Sequence, residues 1–409
     1  MQTDCIILGG GAAGLAACAA LAKAGMRVAL IERLDRVGKK IMAAGNGRCN
    51  ISNADMNPDY YREAAPFVRS VYEATPPGDV LSFFDSLGLM TAEEEGRIYP
   101  RTMMAASVLD VLRAGCEQEN VAILTGQEVV SLTPSRRSGW CAQLASGEGV
   151  FAPVALCAMG GSASAHLGTD GSGTRLLEAL GHSVSKLYPA LVQLRCNHGA
   201  LRSLKGIRVQ AALTLEIDGF AQARESGELL FADYGVSGVC VFQLSGLAAQ
   251  ALDEKKSVRL LINLLPEIDH AHAWLHARIA ALPQACAQSL FTGVFPRLLA
   301  LALLKQAGIP AEAAAIRLNS KQRSALASAI SAFPLPVTGT QGFKNAQVTR
   351  GGVVLDEVDP HTMASRIFDG LYLAGEVLDV DGPCGGYNLH FAFAGGLTAA
   401  KSITARLRA

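Results

Sequence analysis

The first strongly patterned stretch of the chain is Cys5-Ile6-Ile7-Leu8, an unbroken apolar run followed at once by Gly9-Gly10-Gly11-Ala12-Ala13-Gly14. A short apolar run bounded by glycine predicts a parallel strand buried on both faces. The alanine-rich stretch from Leu15 to Ala24 predicts a helix that stops near Gly25, and a second apolar run from Arg27 to Ile31 ends at Glu32. Strand, glycine turn, helix and strand make a complete βαβ unit. Farther along, helical patterning covers Phe67 to Leu87 and Ser107 to Glu119, with strands predicted at Val121 to Leu124, Glu128 to Leu132 and Val154 to Met159. Two short strands between Val129 and Phe151, carrying Trp140, predict a small meander; Gly160-Gly161 closes the next strand, and Gly168 to Gly173 opens another helix.

From about Ala190 the texture changes. Leu191 to Leu194 and Val209 to Ile217 read as strands, with turns at Asp218-Gly219 and Ser226-Gly227, whereas Pro266 to Phe333 reads as helices rich in Ala, Leu and His. Gly370 to Ala409 returns to the strand-glycine-helix idiom of the opening. The expected class is therefore α/β, with a nucleotide-binding domain at residues 1–189 and 341–409 split by a middle region. That region divides into a β-rich insert at 190–265, joined by 334–340 on its return, and a helical insert at 266–333.

Composition narrows the possible partners. The 409 residues hold 36 Lys and Arg against 36 Asp and Glu, a net charge of zero, and half of them are hydrophobic. Binding nucleic acid by bulk charge needs clustered cations, and the nearest approaches are pairs such as Lys39-Lys40 and Lys255-Lys256, so no nucleic-acid partner is expected. The ten cysteines show no CxxC and no nearby histidine set, which points away from zinc and toward a reducing, cytoplasmic setting. His270, His272 and His276 lack a carboxylate or cysteine at ligand spacing, so no metal is expected. The apolar stretch Leu298 to Leu304 lies between Arg297 and Lys305 and falls far short of the ~20 residues of a membrane helix.

The chemistry sits at the two ends of the chain. In G-x-G-x-x-G, glycines at Gly9, Gly11 and Gly14 let backbone approach a pyrophosphate, while the helix N-terminus at Ala12 and Ala13 supplies amide donors. Seventeen residues separate Gly14 from Glu32, which places a carboxylate at the tip of the second strand to accept bonds from an adenosine ribose. A carboxylate there repels a 2′-phosphate, so FAD or NAD is expected rather than NADP. Gly375-Glu376 ends a late strand and suits the hydroxyls of a ribityl chain, which FAD has and NAD lacks. Gly385-Gly386-Tyr387-Asn388-Leu389 then begins a helix whose amides would face the flavin N1 and O2, where negative charge gathers on reduction.

The segment Gly370 to Leu389 and the loop Gly45-Asn46-Gly47-Arg48-Cys49-Asn50, with Leu229 to Gly238 and Val348-Thr349-Arg350-Gly351-Gly352-Val353, carry a resemblance. Together they resemble the BaiN/YhiN family of FAD-dependent oxidoreductases, which includes aminoacetone-oxidase-like and bile-acid dehydro-reductase-like proteins. The resemblance spans nearly the whole chain. It implies a glutathione-reductase-like Rossmann FAD domain interrupted by a β-rich and a helical insert. It also implies cofactor contacts from Arg33, Lys40, Asn46, Gly47, Arg48, Cys49 and Asn50, from the backbone of Val129 to adenine, and from Gly161, Gly375, Gly386, Tyr387, Asn388 and Leu389. Met159 departs from the pattern, since many such flavoproteins carry Thr there.

For the reaction itself the flavin is the expected agent, with Arg350 and Cys49 as candidate catalytic residues. Cys49 has no second cysteine about five residues away for a disulfide relay, which leaves it as a packed thiol or a nucleophile. Arg350 reads either as an anchor for an anionic substrate or as part of a surface turn. Ser237 reads first as a helix N-cap and second as a substrate contact, and Tyr99-Pro100-Arg101-Thr102 is an even choice between site and surface. The expected activity is hydride transfer between flavin N5 and a small organic substrate, as an NAD(P)H-fed reductase of an activated double bond. A flavin oxidase of an amine or hydroxyl group using O2 and a non-catalytic flavin-binding sensor or scaffold are the alternatives. No second G-x-G-x-x-G is visible, so a nicotinamide would visit without a Rossmann domain of its own.

Overall fold

The computed structural model describes residues 1–135 and 139–409, which fall into two compact units, Met1–Tyr188 with Gln347–Ala409, and Pro189–Ala346. In the first unit, five parallel strands lie in the order Leu371–Leu373, Val154–Cys157, Cys5–Leu8, Val28–Glu32 and Val121–Thr125. The three central strands are apolar and buried along their lengths, as expected when both faces of a parallel sheet are covered. Edge strand Val121–Thr125 is only half-buried. The expected meander is present as three antiparallel strands, Val129–Ser135, Gly139–Leu144 and Gly149–Ala152, with Trp140 buried beneath them.

Two helices fix how closely this core packs. Helix Ala12–Lys23 follows the first strand, and the last helix, Tyr387–Arg408, runs against it. A Cβ built on Gly396 would lie 2.4 Å from the carbonyl oxygen of Ala13, so the helices touch backbone to backbone. The patterning at Phe67 to Leu87 resolves into two helices, Ala65–Ala74 and Pro77–Ser86, because Pro76 and Pro77 break the run.

The second unit holds a closed six-stranded barrel in the order Leu194–Cys196, Gly235–Ser237, Phe220–Ala232, Arg208–Ile217, Val258–Asn263 and Phe333–Thr340. Helices Val239–Asp253, Ala271–Ala281, Arg297–Gln306 and Ser320–Ser331 share a hydrophobic core with it. Asp218 and Gly219 have φ of 52° and 84° and form the expected hairpin turn.

Three local expectations are corrected. Ser226-Gly227 is not a turn: the strand Phe220–Ala232 runs straight through it, Gly227 pairing with Ala211. Its bare Cα instead faces the Cβ of Cys240, which would lie 3.7 Å from an added Cβ, so the glycine marks close approach of a helix. Leu191 to Leu194 is not a strand either, because Leu191 has a left-handed φ of 49° and pairing begins only at Leu194. Ser237 is the last residue of a strand, and Gly238 takes the N-cap position of Val239–Asp253 with no side-chain cap.

Among the described residues no helix is long and apolar enough to cross a membrane, and no group of His, Cys, Asp and Glu is placed to hold a metal ion.

The helix contact yields a direct test. Gly396→Val should force the last helix away from Ala13 and cost about 1–3 kcal/mol of stability, read as a lowered urea midpoint. An unchanged midpoint would mean that the close contact carries no weight.

Candidate functional site

Each glycine of the opening turn answers a different steric demand. A Cβ on Gly9 (φ 101°) would sit 2.5 Å from the carbonyl oxygen of Ala158, and one on Gly14 would sit 2.0 Å from that of Gly9. These two let strand, turn and helix close on one another. Around Gly11 there is nothing within 4 Å of an added Cβ, so the start of the helix Ala12–Lys23 is open to a ligand. Its first-turn amides, at Ala12 and Ala13, form the donor end of that opening.

Gly10 matters too, although nothing in the sequence singled it out. Its amide donates to Oε2 of Glu32 at 2.9 Å, and Leu34 donates to Oε1 at 2.9 Å. The two bonds hold the carboxylate at the strand tip with lone pairs to spare for hydroxyl donors. Gln127 donates its backbone N–H to the carbonyl of Glu32, which brings the start of the strand at Val129, itself buried, toward the same end of the sheet. Arg33 donates to Asp170 at 2.5 Å and keeps its buried Nε without a partner among the described residues. Burial acts to raise the Asp170 pKa, but hydrogen bonds from Ser172 and Arg33 outweigh it and hold the carboxyl below its usual range.

A second cluster forms around Glu376, which accepts from Lys40 at 2.6 Å and from the backbone of Thr349 at 2.7 Å. Thr349, fully buried, accepts with its hydroxyl from the amides of Ser162 and Ala163 at 2.8 and 3.0 Å. A Cβ on Gly161 would collide with that hydroxyl at 2.4 Å. Gly161, Thr349, Glu376 and Lys40 are thus one assembly drawn from four distant segments. Thr349 was legible only as a neighbour of Arg350. Met159 stands beside Gly173, whose added Cβ would lie 2.7 Å from the Met159 Cβ.

The loop between these clusters is held in an unusual shape. Gly45, Asn46, Gly47 and Cys49 all have left-handed φ, of 56°, 54°, 83° and 57°. Left-handed residues cluster where a structure over-determines them, commonly at ligand sites. Arg48 turns outward to Glu94 and lies over the Tyr99 ring, 4.3 Å from its centre. Asn50 is buried, and its Oδ1 has no partner among the described residues. That oxygen lies against the start of the last helix, where a Cβ on Gly386 (φ 99°) would come within 2.7 Å of it. Asn53 donates to the carbonyl of Gly385, Asn388 brackets Gly382 and Pro383, and Tyr387 donates its hydroxyl to the carbonyl of Asp55 while its own carbonyl accepts from the Tyr61 hydroxyl. Leu389 is half-buried in the same turn, and Gly375 has a left-handed φ of 77°.

The two catalytic candidates fare differently. Cys49 is fully buried, and burial pushes its thiol up to about 12, so it is protonated at neutral pH and poorly nucleophilic. Arg350 is no surface turn: its side chain is 13% exposed and bonded to Asp381 and Glu63 at 3.2 and 3.3 Å. Burial disfavours its charge, but Asp381 and Glu63 more than restore it, and its pKa is raised. Tyr99 is buried in a strand, Arg97–Pro100, whereas Thr102 is exposed and bonds Ser107.

One buried group was not anticipated. His390, in the first turn of the last helix, is fully buried with neither ring nitrogen bonded among the described residues, its ring perpendicular to that of Tyr72 with the two ring centres 5.4 Å apart.

The fit to FAD is therefore physical. An open helix N-terminus, a carboxylate clamped for a ribose, an orphan Asn50 oxygen and a glycine-lined helix start would meet, in order, pyrophosphate, ribose, ring N–H and ring carbonyl.

Comparison with known proteins agrees in extent. The model of the HI0933-like protein Rossmann domain matches residues 3–402. The chain is 39% identical over 405 residues to a 3-dehydro-bile acid delta(4,6)-reductase of Clostridium scindens, covering 98% of each. It is 30% identical over 407 residues to a ribosomal RNA dihydrouridine synthase of Escherichia coli, again with 98% of each covered. Among solved structures, a mutated FrdA subunit of E. coli quinol fumarate reductase shares the fold at TM-score 0.52 and 15% identity, with 100% of this chain and 71% of that one covered.

Two outcomes are expected from this geometry. Glu32→Ala should weaken FAD binding by roughly 1.5–3 kcal/mol, since ribose hydroxyls lose a charged acceptor, as measured by flavin fluorescence titration. Equal affinity in that variant would sink the assignment of Glu32. Burial lowers the His390 pKa to about 3 against 6.5 in the unfolded chain, so the unfolded state binds the extra proton between those values. Stability should then fall with decreasing pH below about 6.5, with a slope contribution approaching about 1.4 kcal/mol per pH unit. His390→Gln should flatten urea midpoints measured between pH 7 and pH 5, and a slope as steep as wild type would contradict this origin.

Proposed function

We propose, since this chain belongs to the HI0933-like family of FAD-dependent oxidoreductases, that it reduces a carbon–carbon double bond conjugated with a carbonyl in a small organic molecule. The observation that carries this reading is the full-length similarity to the two named relatives. Their names share one transformation: a delta(4,6)-reductase acting beside a 3-oxo group and a dihydrouridine synthase both add two hydrogens across such a bond. The greater identity to the bile-acid reductase, with a net charge of zero, favours a small apolar substrate over RNA.

FAD supplies the hydride chemistry at N5 when bound. The protein's part is position and charge. Gly9, Gly11 and Gly14 admit the pyrophosphate to the amides at Ala12 and Ala13, and Glu32 receives the ribose. Lys40 balances Glu376 beside the ribityl chain, so that a carboxylate is tolerated near phosphate oxygens. Asn50 Oδ1 accepts from a ring N–H at the pyrimidine edge, and the amides of Gly386 to Leu389 face the same edge as preorganised donors that favour developing negative charge. Arg33, Asn46, Gly47 and Val129 complete the cradle, and Cys49 packs against it as a neutral thiol. NAD(P)H is the proposed reductant, reaching the flavin as a transient visitor.

Anaerobic mixing tests the reading. NADH or NADPH should bleach the bound flavin, and a 3-oxo-4,6-diene steroid acid should restore its colour without oxygen. Bleaching by an amine or alcohol instead, with recovery only in air, would replace the reductase by an oxidase. Recovery with a uridine-containing RNA and not with the steroid would move the substrate to nucleic acid. Neither bleaching nor recovery would leave a flavin-binding protein without this activity.

A further inference from the structure

The barrel unit has a cleft of about 380 Å³, lined by Arg195, Cys196, Asn197, Asp233, Tyr234 and Thr338, all within that unit. The volume lies in the range of small-molecule sites, roughly 300–1,000 Å³. We infer that this cleft binds the carboxylate of a small organic acid, with Arg195 as its anchor.

The lining has a surplus of donors. Among the described residues the Arg195 guanidinium, the Asn197 side-chain amide and the Tyr234 hydroxyl form no hydrogen bond or ion pair with the protein, while the Asn197 backbone N–H donates to the carbonyl of Pro336. Several other cations of this unit are committed: Arg208 to Glu228, Arg259 to Glu216, Lys256 to Glu254, and Arg278 to the carbonyls of Leu290 and Thr292. The acid among the lining residues, Asp233, is already bonded by Lys205 at 2.7 Å. Within the lining, that leaves one planar cation with two neutral donors beside it. That set matches a carboxylate, which a guanidinium engages through two parallel bonds. A phosphate dianion fits less well, because Asp233 would repel its second charge.

Backbone devices keep the donors together. Between Arg195 and Cys196 the pairing with the strand Phe333–Thr340 slips by one residue, and the extra residue is Thr338, whose hydroxyl donates to the Arg195 carbonyl. Bulges of this kind re-aim side chains and gather at functional sites. Across the other side, Gly235 pairs with Arg195, and a Cβ there would lie 2.1 Å from the Leu194 carbonyl oxygen. Only glycine lets that strand come close enough for Tyr234, whose carbonyl accepts from the Cys196 amide at 2.9 Å, to stand beside Arg195. Gly339, opposite Arg195 in register, leaves room for the arginine stem, whose Cδ would lie 3.9 Å from an added Cβ.

Fluorine NMR on the FAD-loaded protein tests the site with three probes of one shape: 4-fluorobenzoate, 4-fluorobenzamide and 4-fluorophenyl phosphate. Binding of the benzoate should exceed that of the amide by about tenfold or more. Arg195→Ala should abolish that difference, Arg195→Lys should keep part of it, and Tyr234→Phe should weaken benzoate a few-fold. The exposed Arg195 should be replaceable with no change in flavin absorbance or unfolding midpoint, which separates failure of this site from failure of the flavin site. Equal binding of amide and benzoate, undiminished binding in Arg195→Ala, no binding of any probe, or preference for the phosphate would each overturn the carboxylate assignment.

Discussion

The whole arrangement rests on backbone meeting backbone at distances that exclude a side chain. The turn after the first strand, the helix it starts and the last helix are pressed together at Gly9, Gly14 and Gly396, where an added Cβ would lie 2.0 to 2.5 Å from a carbonyl oxygen. Packing this tight leaves no freedom in the direction of the helix that begins at Ala12. Because its amides are fixed before any ligand arrives, an anion there meets donors that need no rearrangement. The same compression sets the last helix, and with it the Gly386 turn against Asn50.

Electrostatics in the site follow a consistent economy. A pocket for a diphosphate would be spoiled by bare carboxylates, yet the proposed FAD site includes both Glu32 and Glu376. Each is restrained by bonds that also offset its charge: two backbone amides on Glu32, and Lys40 with the Thr349 amide on Glu376. Asp170 does the same for Arg33, with Ser172 as second donor. The cluster of Arg350, Asp381 and the exposed Glu63 is a different case, because the largely buried Arg350 and Asp381 are paired with each other, with Glu63 closing the group from the surface.

Much of the first unit was legible because its signals are local. An apolar run, three glycines and a carboxylate at fixed spacing are read within 30 residues or so. What escaped were features decided by residues far away in sequence. Gly227 carries the composition of a turn, but Ala211 on one side and Cys240 on the other hold it in a strand. Thr349 looks like an ordinary motif neighbour until Ser162, Ala163 and Glu376 are brought to it. Arg350 had the residue type for anion binding, yet Asp381 and Glu63 occupy it. Gly10 was hidden by its flanking glycines, since nothing in a run of three says which one clamps a carboxylate.

The order of the parallel sheet also governs how this protein must be made. Val154–Cys157 pairs on one side with the first strand and on the other with Leu371–Leu373, which the ribosome supplies only after the entire barrel unit. Until then the growing chain carries an apolar strand with one hydrogen-bonding edge bare, and no last helix to cover the first. Contacts of such long sequence separation close slowly, and an open apolar edge invites pairing with other chains. Synthesis therefore has a vulnerable interval, in which a barrel able to bury its own core waits on a sheet that remains unfinished and prone to aggregate.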